Sequence, residues 1–318
     1  MSDKLNVAVI GAGYWGRKHV DEFSRLKSAN LAAVSDLMAA NREHCEKNYK
    51  VRAVSDYRDI LADKSIDAVS ICTNNETHYS VAKEALLAGK HVLVEKPLTM
   101  DVKTSEELVA LAKKHARVLC VGHLFRFNNA VRKMRQLFQD GFFGKPYFMK
   151  FCAVNHNGPI AGRSVLMDLG PHMFDIPNFI TGWWPKKSTY FGSSFRRSEL
   201  EEVTYLESDY GNGFYLYGEL SWLTPGKKRE IFISGEKACA SADLNSQKIV
   251  AQEVLDDGPN QVGKVKDSYA VPVEANNALL EELESFISDC KDPKPGGSAN
   301  SGEIGLLALE ALLACKKI

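Results

Sequence analysis

The chain has no excess of charge of either sign: 40 Lys plus Arg balance 40 Asp plus Glu over 318 residues, and no long run of one sign occurs. A phosphate backbone or an anionic membrane surface is therefore not an expected partner. Long apolar runs are also missing. The first apolar stretch closes at Gly11, too early for a signal-peptide core or a bilayer span, and no later segment is long enough. The seven cysteines (Cys45, Cys72, Cys120, Cys152, Cys239, Cys290, Cys315) are scattered, odd in number and contain no C-x-x-C pair, so the sequence signatures of zinc and dithiol redox chemistry are absent and no metal is expected. Reduced thiols in a cytoplasmic protein are the expectation. No internal repeat is found.

What is present is enough chain for two domains, each with its own core. From Leu5 to Gly122, short runs rich in Val, Ile, Leu and Ala (5–10, 31–35, 51–54, 68–72, 91–94, 118–121) alternate with amphipathic stretches such as Glu76 to Ala88 and Thr104 to His115. Runs that are apolar throughout read as strands buried on both faces. Their alternation with helices predicts an α/β domain with a doubly wound parallel sheet over residues 1–122. After Gly122 the rhythm changes. Gly144-Lys145-Pro146 opens a strand-like run from Tyr147 to Val154, and Gly211-Asn212-Gly213 and Gly235-Glu236-Lys237 each separate two strand-like runs, as hairpin turns do. Residues 123–318 are expected to form an α+β domain with a mostly antiparallel open sheet, serving substrate binding and oligomerisation. Asp292 to Gly297, rich in Pro and Gly, is expected to be a surface segment between a helix near Asn276 to Ser288 and a final Ala- and Leu-rich helix.

Gly11-Ala12-Gly13-Tyr14-Trp15-Gly16 fits G-x-G-x-x-G. Glycines recur by chance, but this set follows a buried strand and opens a helix. Gly11 can then make the tight turn, Gly13 can let the backbone approach a pyrophosphate, and Gly16 can let the helix pack on the strand. The helix start offers N–H donors to the phosphates. Twenty residues beyond Gly16, Asp36 ends the second strand, where a carboxylate accepts from ribose hydroxyls and repels a 2′-phosphate. Leu37, not an arginine, follows it. The cofactor expected is NAD.

Ligands of open α/β sheets bind outside the carboxyl ends of the strands. The fourth strand runs into Thr73-Asn74-Asn75-Glu76-Thr77-His78, so Thr73, Asn74, Asn75 and His78 are candidates for cofactor contact, with Asn75 equally readable as a helix N-cap. The fifth strand ends in Glu95-Lys96-Pro97, where Pro97 is expected to hold Lys96 extended. A lone lysine there is more readily read as solvated than as functional. In Asp168-Leu169-Gly170-Pro171-His172, Pro171 fits only the first turn of a helix, which sets the expected helix start at about Asp168 to Gly170. There a positive helix end would disfavour an imidazolium, as a general base requires. Asp168 as an N-cap and His172 as an interior histidine is the other reading of the same residues.

With Gly11 to Gly16, Asp36, Glu95-Lys96-Pro97 and Asp168-x-Gly170-x-His172-x-x-Asp175 in this order, the chain resembles the family of glucose-fructose oxidoreductase, inositol dehydrogenase and rhizopine catabolism proteins over nearly its whole length. The resemblance implies a Rossmann domain that binds the cofactor through the glycine turn (with Tyr14 and Trp15), Asp36, Thr73 to Asn75, His78 and Glu95 to Pro97. It implies catalysis by Lys96 and His172 with Asp168 orienting or tuning them, and substrate contacts from Arg126, Arg163 and Asp175. The stretch Arg163 to His172 looks like members that oxidise the sugar of UDP-N-acetylglucosamine or its uronic acid. Asn74-Asn75 departs from the Pro-Asn pair of many members, and Gly122 to Phe127 matches only in part.

The function expected is oxidation of a secondary hydroxyl of a sugar or nucleotide sugar by hydride transfer to NAD, in a cytoplasmic homo-oligomer, dimer or tetramer. A non-catalytic NAD-binding regulator and an enzyme using bound NAD transiently, for glycosidic cleavage or isomerisation, are the alternatives. The regulator's signature would be loss of Lys96 or His172, and both are present.

Overall fold

The computed structural model describes residues 4–158, 162–196, 200–256, 263–292 and 298–318. They form two compact units, Met1–Leu124 with Asn277–Leu309, and Phe125–Asn276 with Glu310–Ile318. Among the described residues, no helix is long and apolar enough to cross a membrane.

In the first unit, strands β1 (Leu5–Ile10), β2 (Ala29–Ser35), β3 (Arg52–Val54), β4 (Ala68–Ile71), β5 (His91–Val94) and β6 (Leu119–Val121) alternate with helices α1 (Tyr14–Arg25), α2 (Ala39–Tyr49), α3 (Arg58–Ala62), α4 (His78–Leu87) and α5 (Val102–Lys114). The strands pair in parallel in the order β3-β2-β1-β4-β5-β6. This is the doubly wound arrangement expected of the N-terminal sequence, and its order reverses between β1 and β4, which opens a crevice at their carboxyl ends. The apolar runs are explained by burial on both sides. Ala8, Ile10, Val69, Ile71, Val92 and Val94 pack with Ile60, Val81, Ala85 and Leu108 on one face. On the other, Val7, Val9, Ala68 and Leu93 pack with Val20 and Phe23 of α1 and with Leu283, Phe286 and Ile287.

Those last three residues belong to helix Ala278–Lys291. The contacts therefore group residues 277–309 with the N-terminal unit, whereas a boundary at 122/123 assigns them to the second. The physical reason is coverage: without that helix, part of the second face of the sheet would lie bare. Asn300 adds a polar tie, its Nδ2 donating to Val121 O at 2.7 Å and to Glu282 Oε1 at 3.1 Å. Residues 293–297 of the expected surface segment lie outside the described residues.

In the second unit, α6 (Asn129–Gln139), β7 (Pro146–His156), α7 (Val165–Thr181), β8 (Lys187–Ser193), β9 (Val203–Asp209), β10 (Tyr215–Ser221), β11 (Leu223–Gly235), β12 (Ala238–Asp243) and β13 (Lys248–Asp256) build a mixed, mostly antiparallel sheet in the order β13-β12-β11-β7-β10-β9-β8. Both expected hairpins form, β9 with β10 and β11 with β12, while β7 and β10 run parallel. One face is covered by α7. A Cβ on Gly218 would stand 1.4 Å from Met173 Cε, so this glycine makes room for the Met173 side chain of the helix. On β7, Met149, Phe151, Ala153 and Asn155 are the buried row, and Phe148 and Lys150 point to the other face. That face carries aromatic contacts, Phe148 with Tyr217 (centroids 6.1 Å apart) and Phe191 stacked on Tyr205 (5.3 Å).

One helix differs from its expected extent. α7 starts at Val165, with Ser164 as N-cap accepting from Met167 N at 3.4 Å, and it runs through both Pro171 and Pro177. His172 thus lies about two turns in rather than in the first turn, so the helix terminus gives no strong argument for its neutrality. Pro171 leaves the Met167 carbonyl without its helical donor. Burial of most of α7, including Leu169, Met173, Phe174 and Ile176, offsets that loss.

Candidate functional site

The glycine turn is forced by space. A Cβ on Gly16 would sit 1.7 Å from Gly11 O, and Gly11, at φ +89°, would press a Cβ to within 2.8 Å of the Cys72 carbonyl. Gly13 differs, because a Cβ there meets nothing within 4 Å. Gly13 is also the N-cap of α1, with no side-chain cap and no acidic residue in the first turn. A helix start without a side-chain cap or an acidic residue fits a dinucleotide diphosphate.

Asp36 staples the turn. Its Oδ2 accepts from Ala12 N at 2.7 Å and its Oδ1 from Met38 N at 2.8 Å. Each carboxylate oxygen keeps a lone pair for a ribose hydroxyl. Leu37, the next residue, is 88% exposed, and Tyr14, the first residue of α1, is 72% exposed. Sequence adjacency misled on one point: Arg42 folds back from the first turn of α2, and its Nη1 donates to Asp36 O and Leu37 O at 2.8 and 2.9 Å. A guanidinium is therefore close to Asp36, bonded to backbone carbonyls.

Under the turn lies a buried polar chain that the sequence reading missed. His19 of α1 contacts Glu95 Oε1 through Nε2 at 3.1 Å and Ser70 Oγ through Nδ1 at 2.8 Å. Burial alone would lower the His19 pKa, yet the Cys72 sulfur and the Glu95 carboxylate outweigh it and hold it well above the usual imidazole value. Burial likewise pushes Glu95 up, but the His19 hydrogen bond and charge bring it below the usual carboxylate range. The pair is thus an imidazolium and a carboxylate. Glu95 Oε2 also accepts from Lys96 N at 3.3 Å, and a Cβ on Gly122 would stand 3.0 Å from its carboxyl carbon. The available signal was a histidine three residues after the last glycine of the fingerprint, one turn along the buried face of α1.

His78 and the segment from Thr73 to Asn75 form the next rim. The His78 ring is buried between Pro97 O (Nδ1, 2.8 Å) and Thr73 O (Nε2, 3.2 Å). Burial lowers its pKa, so the neutral ring donates to one carbonyl, and the shorter contact identifies Nδ1–H as the donor. His78 thereby holds the Pro97 carbonyl beside the Lys96-Pro97 bond, which is cis. Thr77 Oγ1 donates to Asn74 O and to Thr73 Oγ1, both at 2.8 Å. Neither Asn74 nor Thr77 caps its helical turn by a side chain, and Asn75 is a buried first residue of that turn rather than a cap. Lys96 is half-buried at the carboxyl end of β5.

The second unit carries Asp168, His172, Arg163, Arg126 and Asp175. The buried His172 ring meets Phe125 edge-on, centroids 5.0 Å apart at 90°. Asp168 lies four residues earlier on the same helix face and pairs with Arg163, Oδ1 to Nη1 at 3.7 Å. Arg126 is buried, donating from Nε to Asp175 Oδ1 at 2.6 Å and from Nη2 to Asn178 Oδ1 at 2.8 Å. Arg126 and Asp175 therefore brace α7 against the 124–127 turn. Among the described residues, no group of three or more His, Cys, Asp or Glu side chains is placed to hold a metal ion.

A parallel sheet with a reversed order, an uncapped glycine turn and an acidic β2 end define an NAD-binding Rossmann domain. Residues 5–123 match the model of the oxidoreductase family with NAD-binding Rossmann fold, and residues 131–241 match the GFO/IDH/MocA C-terminal domain. The chain belongs to this oxidoreductase family. It is 29% identical to a UDP-N-acetylglucosamine 3-dehydrogenase of Acidithiobacillus ferrooxidans over 92% of this chain and 90% of that one. To a myo-inositol 2-dehydrogenase of Thermotoga maritima it is 26% identical over 98% of this chain and 96% of the relative. The solved structure of the Acidithiobacillus ferrooxidans enzyme superposes with a TM-score of 0.87 at 26% identity, covering 98% of this chain and 96% of that chain.

The Asp36 geometry sets a cofactor test. By calorimetry the wild-type protein should bind NAD more tightly than NADP. Asp36→Ala should weaken NAD at least about tenfold, because a charged acceptor of this kind is worth about 1.5–3 kcal/mol. Equal or tighter binding of NADP by the wild-type protein would contradict the role given to Asp36.

Proposed function

We propose that this oxidoreductase removes hydride from a secondary hydroxyl of a sugar or nucleotide sugar, with C3 of a UDP-N-acetylhexosamine as the leading substrate position, and delivers it to NAD. The observation that carries the reading is double. Two relatives matched over nearly their whole length are named as dehydrogenases of a nucleotide sugar and of a cyclitol, and this chain has a lysine at the carboxyl end of β5 in its first unit and a buried histidine on α7 in its second.

Bound NAD supplies the hydride acceptor. The chain's own residues do the rest. The α1 terminus and Gly13 hold the diphosphate, and Asp36 holds the ribose. His172 accepts the hydroxyl proton as the carbon–hydrogen bond breaks, and its contact with Phe125 fixes the ring plane. Lys96 offers an ammonium to the oxygen as it gains alkoxide character. Glu95 and His78 position Lys96 through its amide N–H and the Pro97 carbonyl. Asp168, paired with Arg163, presents a carboxylate on the helix face of His172. All seven cysteines are free, which fits a reducing compartment, and the reading assigns the enzyme to the cytoplasm.

The reading also assigns the uncovered sheet face of the second unit, with Phe148, Phe191, Tyr205 and Tyr217, to contact with another copy. Light scattering should give a dimer or tetramer, and a monomer at every working concentration would rule this out. For the chemistry, His172→Asn and Lys96→Ala should each lower single-turnover NADH formation about a hundredfold or more. NAD affinity should stay nearly intact, since its holders are elsewhere. Near wild-type rates in both variants would refute the mechanism while leaving the cofactor site standing.

A further inference from the structure

The end of β2 carries more positive charge than its one acid calls for. Asp36 accepts from two backbone N–H groups, Ala12 N at Oδ2 and Met38 N at Oδ1. Ala12 is bonded a second time, its carbonyl accepting from Arg17 Nε at 3.3 Å, and the same guanidinium donates from Nη2 to Asn41 Oδ1 at 2.8 Å. Asn41 precedes Arg42, whose Nη1 donates to Asp36 O and Leu37 O. A closed ring of contacts thus runs from Asp36 to Ala12, Arg17, Asn41, Arg42 and back to Asp36. It joins α1, α2 and the end of β2 within the first unit.

Every acceptor of an arginine in this ring is a neutral oxygen. Among the described residues neither Arg17 nor Arg42 forms an ion pair, and the ring's one carboxylate is bonded to backbone N–H groups instead. Charge-assisted contacts with a carboxylate are the stronger ones for a guanidinium, so two arginines on neutral oxygens leave charge for an anion. Arg42 is out of place as a purely structural cation. It stands in the first turn of α2, which has no acidic residue there, and the helix dipole disfavours positive charge at that end. Both arginines are half-buried, and each uses two of its five N–H donors within the ring.

We infer that Arg17 and Arg42 form a subsite for the 2′-phosphate of NADP, so that the domain takes NADP as a second cofactor beside NAD. In this fold an acid about twenty residues beyond the glycine turn meets the adenosine ribose hydroxyl, and an arginine nearby accommodates a 2′-phosphate. This chain has both devices in one bonded ring. A carboxylate acting alone would set like charge against the phosphate and weaken NADP about a hundredfold or more relative to NAD. The two guanidiniums offset that repulsion without removing it, because guanidinium and phosphate form strong, bidentate contacts. NAD stays the tighter ligand, and NADP follows closely. The inference does not depend on which alcohol is oxidised.

Calorimetry with NAD and NADP on the full chain, at low and at high salt, tests it. The wild-type protein should bind NADP less than about thirtyfold more weakly than NAD. Arg17→Met and Arg42→Met should each widen that gap at least about tenfold, the worth of a charge-assisted contact. Added salt should weaken NADP more than NAD in the wild-type protein, and this excess should shrink in both variants. NAD affinity, read in the same samples, reports whether the glycine turn is intact, and the two arginines lie on different helices, so one local distortion does not imitate both results. A wild-type gap above about thirtyfold, a gap unchanged in either variant, or a loss shared equally by NAD and NADP would overturn the inference.

Discussion

The cofactor domain is organised around a buried ion pair. His19 leaves the first helix beneath the glycine turn and meets Glu95 at the end of the strand that carries Lys96. One imidazole thereby joins three elements, α1, β4 through Ser70 and β5 through Glu95. Two buried charges are costly to desolvate, and the pair is tolerable because each carries hydrogen bonds besides the charge contact. Glu95 also accepts from the Lys96 amide, so the glycine turn and the backbone of the proposed catalytic lysine share one support. The glycines then follow as steric consequences, since Gly16 must touch Gly11 for α1 to bring His19 over β4 and β5.

The second unit solves a different problem with the same economy of elements. A long helix must lie flat on a sheet and also present polar groups near its start. Gly218 lets Met173 approach, Arg126 locks α7 through Asp175 and Asn178, and the covered row turns polar at Asn155 and Arg229. The proposed base His172 is held within the packed stretch of the helix, where its ring is fixed by Phe125.

Much of this was legible in the chain. Runs apolar on both faces identified the parallel sheet, the two glycine-centred turns identified hairpins, and spacing linked Gly16 to Asp36. What failed did so for definable reasons. Pro171 suggested a helix start because a proline removes a helical hydrogen bond, but burial of α7 outweighed that loss and put the start at Val165. Helix Ala278–Lys291 was assigned by chain order, whereas its apolar face belongs with β1, β4 and β5. Arg42 was invisible because a helix turn, not sequence adjacency, brings it to Asp36. His19, Asn155 and Arg229 carry no local motif, and their roles arise from partners 51 to 76 residues away.

The central claim, that a buried imidazolium–carboxylate pair supports the site, is tested by urea unfolding of His19→Ala across pH. Glu95 has a folded pKa below its ordinary 4.5, so its contribution is present above that value and lost as the pH falls through its folded pKa. His19 has a folded pKa above its ordinary 6.5, so its contribution is complete below that value and is lost as the pH rises through the raised one. At pH 6 both are charged. Removing His19 there strands a buried carboxylate and should cost about 3–5 kcal/mol, and the penalty should shrink steadily as the pH falls through the lowered pKa of Glu95 and it takes up a proton. A penalty under about 1 kcal/mol at pH 6, or one that does not change with pH, would contradict the account.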